Sequence, residues 1–135
     1  MVAAGDATLL DARPADFFDG ITWSVAAPGT IHGADNLEYS AFFDGSRMVG
    51  AEAIRAAAVR AGHAGGTTTV SFCNTGHWAA INWFALSEVA GYDDVRLYAE
   101  SMAEYTQDGA RPLDHAPNRL QYAWRSTARW VSELF

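Results

Sequence analysis

The sequence predicts an α/β domain, a parallel sheet of about five strands with helices on both faces. Three observations carry this. Thr67–Phe72 is a β-branched run that reads as a buried central strand. Ala51–Ala61 and Ala79–Ala90, on either side of it, read as helices. Short apolar strands recur between helices rather than next to one another, which is the pattern of parallel crossovers, with ligands bound off the carboxyl ends of the strands.

In chain order, Thr8–Asp11 is an apolar strand whose end turns at Asp11 or Pro14 into a brief helical turn over Ala15–Phe18. Residues 19–33 carry Gly20, Pro28, Gly29 and Gly33 and read as surface loop. Ala34–Leu37 is a second short strand, and Tyr39–Gly50 is loop whose aromatics tuck onto the core. Ala51–Ala61 sets Ile54, Ala58 and Ala61 on one stripe and stops at Gly62. A turn over His63–Gly66 leads into the central strand. Ala79–Ala90 is apolar on nearly every side, so a buried helix is expected. Asp94–Tyr98 is the next strand, Ser101–Gln107 a short helix and Asp108–Pro117 a loop. In the tail, Leu120, Trp124, Thr127, Trp130 and Val131 recur at helical spacing, which predicts a covering helix. By default Trp83, Phe84, Trp124 and Trp130 are core.

Composition narrows the chemistry. The chain has 135 residues, half of them hydrophobic, and a formal charge of −7, so we expect one packed domain over residues 1–135 and no affinity for nucleic acid or anionic lipid. No apolar run is long enough to span a bilayer, and Met1–Asp6 lacks the basic start of a signal peptide. The expectation is a soluble, cytoplasmic protein. All nine basic residues are arginine. Without lysine there can be no Schiff-base or phosphate-loop lysine, so an anion must be held by backbone amides, arginine or histidine. A single cysteine, Cys73, excludes an internal disulfide and a resolving thiol.

Cys73 is the residue on which function is expected to turn. It closes the central strand in Thr67-Thr-Thr-Val-Ser-Phe-Cys-Asn-Thr-Gly-His-Trp-Ala79, followed by a short loop and a helix N-terminus. That placement surrounds the sulfur with N–H groups and the positive end of a helix dipole, which favours thiolate and other anions. His77 either polarises the thiol and meets an anionic substrate, or caps the helix and points to solvent. Trp78 either walls the site or anchors the helix. Asp11 and Arg13 read as a structural ion pair near the site, and nothing in the spacing brings Arg111 or Arg119 over it. His32, His63 and His115 show no ligand spacing with Cys73 and His77, so no metal is expected.

Four segments resemble the rhodanese family: Leu9-Leu-Asp-Ala-Arg-Pro14, Gly29-Thr-Ile-His-Gly-Ala-Asp-Asn36, the Cys73 loop with its helix, and Leu97-Tyr-Ala-Glu-Ser-Met-Ala-Glu-Tyr105. They occur in the family's order across residues 8–105, leaving 106–135 as covering loop and helix. The resemblance implies a thiosulfate sulfurtransferase. Cys73 would take a sulfane sulfur from a small anionic donor, hold it as a persulfide and pass it to a thiophilic acceptor such as cyanide or a thiol, without cofactor. Amides of Asn74, Thr75, Gly76, His77 and Trp78 would bind the substrate, with Gly76 supplying the backbone geometry.

Three departures bear on the donor. The loop Asn-Thr-Gly-His-Trp carries neither the basic residues of thiosulfate-preferring members nor the small neutral ones of mercaptopyruvate-preferring members. Phe17 stands where several members place a donor-binding arginine, and Glu100 stands where glycine is common. These features give weight to an alternative, a sulfur-relay or regulatory binding module that turns over small donors poorly. A phosphatase or arsenate reductase reading is disfavoured, since Ala79 occupies the place of the arginine that would clamp the oxyanion and the loop is one residue short. The likeness is to the catalytic second half of two-domain members, which implies a second rhodanese domain or a protein sulfur acceptor as partner, and a periplasmic location if the whole protein is exported.

Overall fold

A computed structural model describes residues 7–63 and 65–134. Ala7–Asp11 (β1) pairs in parallel with Asp35–Asn36 (β3) on one side and Thr68–Phe72 (β6) on the other, and Val95–Leu97 (β7) lies beyond β6. The order is therefore β3-β1-β6-β7. The expected α/β architecture is present with four parallel strands rather than about five. The remaining extended segments are two-residue pieces outside the sheet. Thr30–Ile31 (β2) pairs antiparallel with Leu113–Asp114 (β8), and Phe43–Asp44 (β4) with Arg47–Met48 (β5). All four fall in stretches read as loop, because two residues are too short to show an alternating pattern.

Strand alternation sends neighbouring leucines of β1 to opposite faces. Leu10 joins Leu37, Phe42, Ile54, Ala58 and Leu86 on the face covered by Ala51–Arg60 (α2) and by His77–Phe84 (α3) with its π-helical extension Ala85–Val89. Leu9 joins Ile31, Phe72 and Met102 on the other face, beneath Ser101–Tyr105 (α4). α2 ends as expected at Gly62, at φ +92°, with the Gly62 N–H donating to the Val59 carbonyl and the His63 N–H to that of Ala58. The turn expected at 63–66 includes residue 64, which lies outside the described residues.

Two expectations about burial are corrected. Phe84 is exposed and Trp83 only half-buried, its indole donating to the Val95 carbonyl, so the second helix is amphipathic rather than buried all round. The tail helix Arg119–Leu134 (α5) forms, capped by a reciprocal pair in which Asn118 and Gln121 each accept the other's backbone N–H. It covers nothing. Leu120, Trp124, Trp130 and Leu134 stand 60–82% exposed, while an apolar cleft of about 290 Å³ lined by Leu9, Val70, Phe72 and Tyr98 lies open on the sheet. Periodicity makes an amphipathic helix and does not say which surface the helix meets. No helix among the described residues is long and apolar enough to cross a membrane.

Candidate active site

The site is built where β1 and β6 end. Asp11 and Arg13 follow β1 and are completely buried. Arg13 grips Asp11 through Nε, at 2.9 and 3.0 Å from the two carboxylate oxygens, and through Nη2 at 2.6 Å. The remaining donors are also used. Nη2 reaches the Gly29 carbonyl at 2.7 Å and Nη1 reaches Asn74 Oδ1 at 3.1 Å, while Thr30 Oγ1 donates to Asp11 at 2.8 Å. A buried ion pair is tolerable only when its other lone pairs and protons are satisfied in this way. Asn36 Nδ2 closes the network onto the carbonyls of Asp11 and Arg13.

This network holds the cysteine loop from below. Asn74 accepts from Arg13 at its Oδ1 and donates from its Nδ2 to Ser24 Oγ at 3.2 Å, so its side chain is committed. From the side, the Cys73 N–H donates to Ser101 Oγ at 3.0 Å, and the carbonyls of Cys73 and Asn74 accept from the N–H groups of Met102 and Ala103. Ser101, itself at φ +53°, passes its own proton to the Tyr98 carbonyl. The cysteine backbone is thereby strapped to the first turn of α4.

Within the loop, the Gly76 N–H points at Cys73 Sγ, 2.9 Å away. Gly76 lies at φ +94°, and a Cβ there would stand 2.6 Å from the Ala99 carbonyl oxygen, so only glycine fits without displacing backbone. The following residues, His77 and Trp78, open α3, whose first N–H groups have no partner within the helix. The sulfur thus accepts a directed N–H on the loop that leads into the N-terminus of α3.

Cys73 is 1% exposed and lies against a cavity of about 340 Å³ that is lined also by Ser24, Asn74, Thr75, His77 and Trp78. The residues read from the sequence as substrate-binding therefore do converge on one cavity, with Gly76 aimed at the sulfur. His77 is exposed, its Nδ1 3.2 Å from Thr75 Oγ1. Trp78 both lines the cavity and is anchored. Its ring stacks parallel on Tyr39 at 5.2 Å and meets Phe17 edge-on at 6.2 Å. Phe17 itself lies under the Arg13 guanidinium, 5.8 Å from ring centroid to charge centre. Buried, and bonded through all three guanidinium nitrogens, Arg13 is not placed to replace a donor-binding arginine at position 17. Glu100 is exposed ahead of α4 and does not line the cavity. Arg111 is held by Glu104 at 2.8 Å. Among the described residues no cluster of histidine, cysteine or carboxylate side chains could hold a metal.

Sequence reasoning missed Ser24 and Tyr39. Both lie in stretches read as loop, and no local signal marks either one. Ser101 was legible as part of a motif but not as the acceptor for the Cys73 N–H.

A single thiol on a glycine-turned loop between a parallel strand and a helix, braced by a buried Asp–Arg pair, defines an α/β cysteine-loop domain. The rhodanese-like domain pattern matches residues 1–108, and the chain belongs to the rhodanese family. It is 31% identical over 117 residues to a Haloferax volcanii protein named "Putative thiosulfate sulfurtransferase", covering 78% of this chain and 40% of the relative. Among solved structures it resembles the Tum1 protein from Saccharomyces cerevisiae, with 27% identity, a TM-score of 0.71, and coverage of 84% of this chain and 42% of that one. It also resembles the 3-mercaptopyruvate sulfurtransferase from Leishmania major, with 31% identity, a TM-score of 0.63, and coverage of 75% and 30%. The chain spans less than half the length of each.

Proposed function

We propose that this domain is a sulfurtransferase that carries sulfane sulfur on Cys73 as a persulfide. The observation that carries the reading is the Gly76 N–H directed at Sγ, 2.9 Å away, at the base of a cavity opened by the N-terminus of α3. Once the thiol proton is lost, the Cys73 thiolate attacks the outer sulfur of a donor such as thiosulfate. The Cys73 S–S bond forms, the donor's S–S bond breaks, and sulfite leaves with the electron pair. The persulfide is again an anion, and the same N–H groups of Gly76 and the helix end serve it. Amides of Asn74, Thr75, His77 and Trp78 complete this cradle. A nucleophile such as cyanide or a thiol then takes the outer sulfur and regenerates the thiolate. The two steps use no group beyond donor, acceptor and Cys73.

The test is an intact-mass measurement after incubation with thiosulfate. The wild type gains one sulfur that cyanide removes, and Cys73→Ser gains none. Uptake from none of thiosulfate, mercaptopyruvate or polysulfide would overturn the reading.

One observation favours a second reading, a relay or regulatory module serving a protein acceptor or a second rhodanese domain. Among the described residues no arginine lines the cavity, so a doubly charged donor meets few counter-charges there. A relay loads with persulfide but turns over cyanide slowly until a protein acceptor is added, and steady-state rates with and without such an acceptor separate the two.

A further inference from the structure

We propose that the Cys73 cavity selects organic, singly charged sulfane donors over inorganic thiosulfate, with Trp78 as the surface on which the donor's organic group lies. This rests on the persulfide reading above and names the substrate class of the same site.

Charge is the first argument. Among the described residues the lining consists of Ser24, Cys73, Asn74, Thr75, His77 and Trp78, and of these only His77 has a basic side chain. Arg13, buried and bonded to the loop residue Asn74, is spent on Asp11, Gly29 and Asn74. Desolvation cost rises with the square of an ion's charge, so a dianion pays far more than a monoanion for entering a site with so little compensation. The chain's net charge of −7 acts in the same direction during approach.

Shape is the second. A cavity of about 340 Å³ is of the size that organic ligands occupy, and a small inorganic ion fills little of it. One wall is aromatic and rigid. Trp78 is held between the parallel face of Tyr39 and the edge of Phe17, so it offers apolar area without loss of rotamer freedom on binding.

An organic thiosulfonate, R–SO2–S⁻, meets both conditions. The Cys73 thiolate attacks its terminal sulfur, the Cys73 S–S bond forms, the donor's S–S bond breaks, and the sulfinate R–SO2⁻ leaves with the electron pair. The enzyme form produced is the same persulfide.

The experiment compares kcat/KM for benzenethiosulfonate and for thiosulfate, with cyanide as acceptor, in the wild type, Trp78→Leu, Trp78→Phe and Thr75→Arg. Sulfinate leaves more readily than sulfite, so the readout is the change in the ratio between proteins. Trp78→Leu lowers the ratio on the order of tenfold, the aryl donor losing more than thiosulfate, and Trp78→Phe restores most of it. Thr75→Arg, at an exposed position, lowers the ratio by improving thiosulfate. Equal losses for both donors in Trp78→Leu, or no gain for thiosulfate in Thr75→Arg, overturn the inference while persulfide formation stands. Absence of persulfide from either donor and from polysulfide overturns the underlying reading instead.

Discussion

At the carboxyl ends of β1 and β6 the protein buries a charged pair, Asp11 with Arg13. At the amino end of β6 it buries an uncharged one, His63 with Thr69, joined by a hydrogen bond of 2.6 Å. The first cluster is bonded in every direction and reaches across the fold to the cysteine loop through Asn74. The second is small, and its ring lies edge-on to Tyr92 with no link to the site. Burial lowers the His63 pKa from 6.5, with Asp35 opposing, and so keeps the ring neutral at physiological pH. A guanidinium buried with its carboxylate can brace a reactive loop because its donors are many and fixed in direction. A neutral histidine seals an end of the sheet at less risk and with less reach.

That contrast can be broken first at Arg13. Arg13→Met strands the Asp11 carboxylate in the interior and removes the support of Asn74, so we expect a loss of about 3–5 kcal/mol in denaturant unfolding, with sulfur uptake lost as well. A loss below about 1 kcal/mol would show that the charged cluster is no more than the equal of the neutral one. Ser101→Ala tests the strap on the other side of the loop. It leaves the buried Cys73 N–H without an acceptor at a cost of about 1–3 kcal/mol, and because it touches no donor it slows persulfide formation through the position of the sulfur. Unchanged loading rates in a folded Ser101→Ala protein would detach α4 from the site.

The neutral cluster gives the smallest effect, and its sign follows from the lowered pKa. The unfolded chain protonates near pH 6.5 and the folded chain only at lower pH, so the unfolded state binds more protons in that interval. Stability contributed by neutral His63 is therefore complete above pH 6.5 and is lost as the pH falls toward the folded value. In unfolding curves from pH 7.5 to 5, His63→Gln flattens this dependence. A slope identical to the wild type would assign it to the carboxylates.

Local signals made much of the site legible. A β-branched run, a cysteine, a glycine at a position requiring φ +94° and an apolar helix start are all contiguous, and together they place a thiol at a strand end beneath helix N–H groups. Of the two-residue strands only Asp35–Asn36 was read, as Ala34–Leu37; the four outside the sheet were not, because so short a segment has no period. Chain-distant contacts were equally invisible. Nothing in the composition of residues 19–33 singles out Ser24 as a wall of the cavity, and nothing at Tyr39 announces its stack on Trp78.

What the sequence by itself determined is thus the order of the sheet's strands and helices, the position of the one nucleophile and the poverty of cations around it. Each of these is set by residue type and by neighbours within a few positions. Only the tertiary structure decided that Asn74 gives its side chain to Arg13, 61 residues away, that Trp78 is fixed as a wall, and that α5 leaves Trp124 and Trp130 in solvent. A helical stripe or a buried donor records a need for a partner. Which partner meets that need depends on surfaces brought together only when the chain has closed on itself.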